Sequence, residues 1–95
     1  WEAVVTLTDG FDAEDTETLK KLIAKVDGVI ELVDLKGRSH GNMSFVDVTV
    51  TVNPNLNVIE SHTISDQIEA TVQQFDRHCI VLVHIEPHIT PSTTE

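Results

Sequence analysis

The sequence is poor in most of the residues that would make its function easy to read. It has one cysteine, Cys79, so no disulfide can form within the chain, which points weakly to a reducing compartment. It has no tyrosine and only 4% aromatic residues, too few for a platform on which nucleic acid bases stack. Lys and Arg number 6 against 16 Asp and Glu, for a net charge of −10 with neutral histidines. Such a chain lacks the basic stripe that phosphate backbones require, so no nucleic acid partner is expected. No apolar run approaches the roughly 20 residues of a spanning helix, and no basic leader precedes one. What remains is a 95-residue chain with 40% hydrophobic residues, enough for one domain with one modest core.

Ala3–Thr8 reads as a short strand or the end of a linker, and Asp9-Gly10 as a turn. From about Asp12 to Val26 the pattern predicts a helix. Glu14, Asp15 and Glu17 sit early, Lys20, Lys21 and Lys25 sit late, Leu19, Leu22, Ile23 and Val26 form the apolar stripe, and Gly28 stops it. Val29–Lys36 reads as a strand and Gly37–Asn42 as a polar hairpin loop. In Ser44–Val52, Val46, Val48, Val50 and Val52 alternate with Phe45, Asp47, Thr49 and Thr51, the signature of a half-buried strand. Asn57 and Glu60 form a box-like start to a second helix, with Ile59, Ile64, Ile68 and Val72 as its buried stripe and an end near Gln74. Cys79–Glu86 reads as a third strand ended by Pro87, and Thr90–Glu95 as a mobile tail. The order predicts an α+β, ferredoxin-like or metallochaperone-like α-β-β-α-β fold, with two helices on one face of a three-stranded sheet.

Five histidines are many for a small acidic chain. On the third strand His84 and Glu86 share a face with Ile80 and Leu82. Asp47 and Thr49 occupy the polar side of their strand. His62 and Asp66 are four apart on one helix face. Such nitrogen and oxygen donors suit zinc, manganese or ferrous iron. A plainer reading has Asp66 pairing with His62, and His84 and Glu86 hydrogen-bonding at a sheet edge. The spacings contain no compact ligand motif that decides between the two. Cys79 reads as a core thiol. The basic stretch Lys36–Gly41 lacks the Walker pattern, and no serine sits in a nucleophile elbow, so no enzyme is expected.

Several short words stand in a specific order. They are Gly28-Val29, Asp34-Leu35-Lys36-Gly37-Arg38, Gly41, Phe45-Val46-Asp47-Val48, Asn53-Pro54, Ser61-His62, Ser65-Asp66-Gln67-Ile68-Glu69 and Val83-His84-Ile85-Glu86-Pro87. Together, from about Asp9 to Pro87, they resemble the C-terminal cytoplasmic domain of cation diffusion facilitator metal transporters. The resemblance implies a membrane domain ahead of Trp1, in keeping with the absence of an initiator Met. It implies residues 1–11 as linker, 12–87 as a dimerisation and metal-sensing domain, and 88–95 as tail. It further implies a homodimer on the cytoplasmic side of a membrane, binding a divalent cation, zinc foremost, with manganese or iron as alternatives. The positions that match the family's metal ligands are His62, His84 and Glu86, and Asp47 stands where several members, the magnetosome branch among them, place a carboxylate. Val33 and Thr49 stand where the family often has histidine, so a site of reduced composition is expected, open to water or to a second chain, with Asp47 and His62 close to each other or to a symmetry mate and His84 with Glu86 as a second, more peripheral locus. A soluble metallochaperone-like protein of the same fold is the alternative, and a metal-free regulatory domain that binds a small molecule is a third reading.

Overall fold

The computed structural model describes residues 5–6 and 13–89. The elements in chain order are β1 (Val5–Thr6), α1 (Ala13–Ala24), β2 (Val29–His40), β3 (Met43–Val52), α2 (Val58–Gln73) and β4 (Ile80–Pro87). The sheet order is β1-β2-β3-β4, with β2 and β3 antiparallel and β4 parallel to β3. The three long strands and two helices are the expected α-β-β-α-β arrangement. β1 adds a two-residue parallel pairing at the β2 edge, Val5 opposite Leu35. The strand reading of Ala3–Thr8 is thus met at Val5 and Thr6. The rest of the expected linker, and the tail beyond residue 89, lie outside the described residues.

α1 buries Leu19 and Ile23, four apart, while Leu22 stays 39% exposed. Its end falls two residues before the expected one, because the amides of Lys25 and Val26 bond three residues back, to Leu22 and Ile23. Gly28 then turns the chain with φ +100, and a Cβ there would meet Ile64 Cδ1 at 2.6 Å.

The hairpin departs most from the sequence reading. Gly37–His40 is not loop: β2 runs on to His40, which faces Met43 across a two-residue turn of Gly41 and Asn42. Gly41 has φ +64 and Asn42 has no positive φ, the pattern of a tight hairpin turn with glycine first. Gly37 is buried opposite Val46. Nearer its start β2 steps past β3 twice, between Val29 and Glu31 and between Leu32 and Asp34, so Ile30 and Val33 are the extra residues.

α2 starts on a complete capping box: Asn57 Oδ1 accepts from the Glu60 amide at 2.7 Å, and Glu60 Oε1 accepts from the Asn57 amide at 3.0 Å. Ile64, Ile68 and Val72 are buried as expected, but Ile59 is 77% exposed. Five residues separate Ile59 from Ile64, which places it about 140° around the helix from the stripe. The helix stripes meet Leu35, Val46, Val48, Val50 and Val52, so both helices cover one face of the sheet. Each fully buried aliphatic side chain contributes roughly 1.5–3 kcal/mol relative to exposure.

Candidate metal-binding face

The valines of β3 face the helices, so Phe45, Asp47, Thr49 and Thr51 face the opposite way, where none of the described helices packs. The parallel register brings β4 alongside: Leu82 is level with Asp47, His84 with Thr49 and Glu86 with Thr51. Asp47, His84 and Glu86 therefore share one face that no described helix covers, where the expectation sets His84 and Glu86 in a locus apart from Asp47. His84 and Glu86 are both exposed, and so are Ile80 and Leu82 beside them. Thr51 is an exception on this face, only 8% exposed, with its Oγ1 3.4 Å from His88 Nδ1.

Asp47 is the most constrained donor. Its side chain is 25% exposed, and its Oδ2 lies 3.6 Å from Arg38 Nε of β2. Its Oδ1 is buried and has no hydrogen-bond partner among the described residues. A carboxylate oxygen without a donor in a sheet costs free energy, so this atom has unused capacity to accept a cation or a donor. Arg38 is held from a second side, its guanidinium carbon 4.5 Å from the centroid of the Phe45 ring. Read as part of a loop, Arg38 has no partner in the sequence, and only the extended register sets it opposite Phe45 and diagonal to Asp47.

His62 is elsewhere. It lies on α2, 74% exposed, with Nε2 3.4 Å from Asp66 Oδ2. The helix layer and the Asp47 face are on opposite sides of the sheet, so one chain does not bring Asp47 and His62 together. His62 follows Val58 by four residues and Ile59 by three, and both of these are more than three-quarters exposed. No group of three His, Cys, Asp or Glu side chains close enough to hold a metal ion occurs among the described residues. The described residues of one chain therefore present donors singly or in pairs. The pairs fit a divalent cation in chemistry, and a full shell takes water or a second chain. A groove of about 280 Å³ beside Gly28, Leu56 and the first turns of α2 does not coincide with the Asp47 face. Cys79 is buried, and burial, with Asp76 adding to it, pushes its thiol up to about 11, so it is no ready metal ligand.

The chain matches the family of the cation efflux protein cytoplasmic domain over residues 11–88. It is 41% identical over 86 residues to the manganese efflux system protein MneS of Bacillus subtilis, covering 90% of this chain and 30% of that protein. It is 31% identical over 96 residues to the cation-efflux pump FieF of Shewanella oneidensis, covering 100% of this chain and 32% of that protein. The chain thus spans about a third of the length of these curated relatives. Among solved structures, a MamM-CTD structure superposes with a TM-score of 0.65 at 23% identity, covering 77% of this chain and 94% of the other. A nickel form of the MamM CTD superposes equally, with a TM-score of 0.65 at 21% identity, over 78% of this chain and 95% of the other. These likenesses confirm the fold. With its order of strands, its uncovered acidic face and a family match over nearly its whole length, this chain belongs to the cytoplasmic domains of cation efflux proteins.

Proposed function

We propose that this chain is the cytoplasmic regulatory domain of a divalent-cation efflux transporter, that it pairs with a second copy, and that a divalent cation binds on or near the seam to favour the closed pair. The family supplies the setting. The observation on this chain that carries the metal reading is the buried, unpartnered Oδ1 of Asp47 on an uncovered sheet face shared with His84 and Glu86. The donors available are carboxylates and imidazoles with no usable thiolate, a set that suits manganese as well as zinc. The manganese efflux relative favours manganese.

Pairing follows the same physics. Val58 and Ile59 beside His62 are more than three-quarters exposed, and Ile80 and Leu82 on the sheet face are partly exposed, so apolar surface remains for a partner to cover. Each chain also carries −10, so an apo pair concentrates like charge. A bound cation offsets that charge. An ion that prefers the closed pair shifts the equilibrium toward closure by its difference in affinity for the two states. Protons compete with the metal for imidazole, so affinity falls on acidification.

Calorimetric titration of the metal-stripped chain with manganese and with zinc tests the reading. Binding is expected, with Asp47→Ala and His84→Ala each weakening it about tenfold or more. His84 is exposed, so its loss should change the apo stability by no more than about 0.5 kcal/mol. Unchanged affinity and stoichiometry in both variants would remove this face as the site.

A further inference from the structure

We propose that Arg38 is an internal cation that occupies Asp47 in the apo chain and must swing away before a divalent ion binds there. The inference rests on the metal reading of Asp47 and adds to it a competitor built into the neighbouring strand.

Three observations carry it. Arg38 and Asp47 lie diagonally across the β2–β3 ladder, with Nε 3.6 Å from Oδ2. The guanidinium also rests over the Phe45 ring, its carbon 4.5 Å from the centroid, and the side chain is 52% exposed, with a way out toward solvent. The contact engages only one carboxylate oxygen, and the other is buried without a partner. A bidentate pairing, the strong form of an arginine–carboxylate contact, would engage both oxygens through the guanidinium fork. Here it makes one long contact and leaves the second oxygen unserved.

Lys36 shows that mere positive charge is not the point. It is level with Asp47 in the ladder, yet its Nζ lies 3.4 Å from Asp34 Oδ2. Arg38 is the cation that Asp47 holds. A divalent ion at Asp47 Oδ1 and Oδ2 would place two positive charges beside the guanidinium, and in that arrangement the arginine must move off. Its retreat frees the Phe45 ring and changes the surface offered to a partner. The latch therefore sets a threshold: metal binds only when its concentration is high enough to displace the internal cation. The contacts it must break are an exposed ion pair and an exposed ring–cation contact, so the threshold is raised by a few-fold to about tenfold.

The test is manganese chloride titrated calorimetrically into the 95-residue chain and its variants, each first checked for an intact fold by its far-ultraviolet circular dichroism. Arg38→Gln is expected to tighten manganese binding by about threefold to tenfold at unchanged stoichiometry. Phe45→Leu, which keeps the charge but removes the rest, should tighten it less. Lys36→Gln removes the same charge from the residue level with Asp47, whose Nζ is turned to Asp34, and should leave the affinity within about twofold. Asp47→Asn combined with Arg38→Gln should abolish the gain. If Asp47→Asn weakens binding but Arg38→Gln does not tighten it, the latch is wrong and the metal reading stands. An equal gain from Lys36→Gln also overturns the latch, because it assigns the effect to net charge. If no variant binds manganese at all, the metal reading fails and the latch with it.

Discussion

Cys79 and Asp47 show how little a residue's type says without its surroundings. Cys79 sits at 3% exposure where the chain enters β4, and burial first, then Asp76, hold its thiol at about 11 against an ordinary 9.0. Between these values the unfolded chain gives up the proton and the folded chain keeps it. The stability tied to this group is present below about pH 9 and is lost as pH rises through about 11. The loss amounts to roughly 3 kcal/mol once both states have titrated. Urea unfolding at a series of alkaline pH values should therefore show a steeper decline in the parent than in Cys79→Ala, and parallel declines would show that the thiol titrates alike in both states. Asp47 is the reverse case. An acid in a strand of valines and threonines tolerates partial burial only when something serves its oxygens, and Arg38 serves one of them.

Among the elements, α2 depends most on a short local signal. The reciprocal bonds of Asn57 and Glu60 satisfy two otherwise orphaned amides at its start. Asn57→Ala should cost about 1 kcal/mol of unfolding free energy, measured by urea denaturation, and no change in the midpoint would contradict the cap's contribution. That cap was readable in the sequence because it is local, and so was the β3 face, because four valines at a period of two admit one orientation. The hairpin was not readable in the same way. Gly37, Arg38 and Ser39 are polar or small and look like loop, yet the backbone ladder needs no side chain. The glycine at position 41 closes a two-residue turn that lets β2 run to its end. Ile59 misled for a different reason: its hydrophobicity said core while its angle on the helix said surface, and the angle prevailed. Strand phase makes the faces of Asp47, His84 and Glu86 legible, while the choice of these residues and His62 as candidate ligands comes from the family resemblance. The Arg38 contact was hidden because it depends on a register that the supposed loop concealed.

At the scale of the molecule, two helices cover one side of the sheet and leave the other side with Asp47, His84, Glu86, Ile80 and Leu82. His62 stands on the helix layer beside exposed Val58 and Ile59. No described residues of one chain assemble three metal donors, and the proposed complete site therefore takes donors from a pair of chains or from water. In that reading binding and pairing are linked: the factor by which metal tightens the pair is the factor by which pairing tightens metal binding. Sedimentation equilibrium of the metal-stripped chain, with and without saturating manganese chloride, tests that claim most directly. The dimer dissociation constant is expected to fall about tenfold or more with manganese in the parent chain and to stay put in Asp47→Asn. Identical dissociation constants with and without manganese in the parent would contradict it.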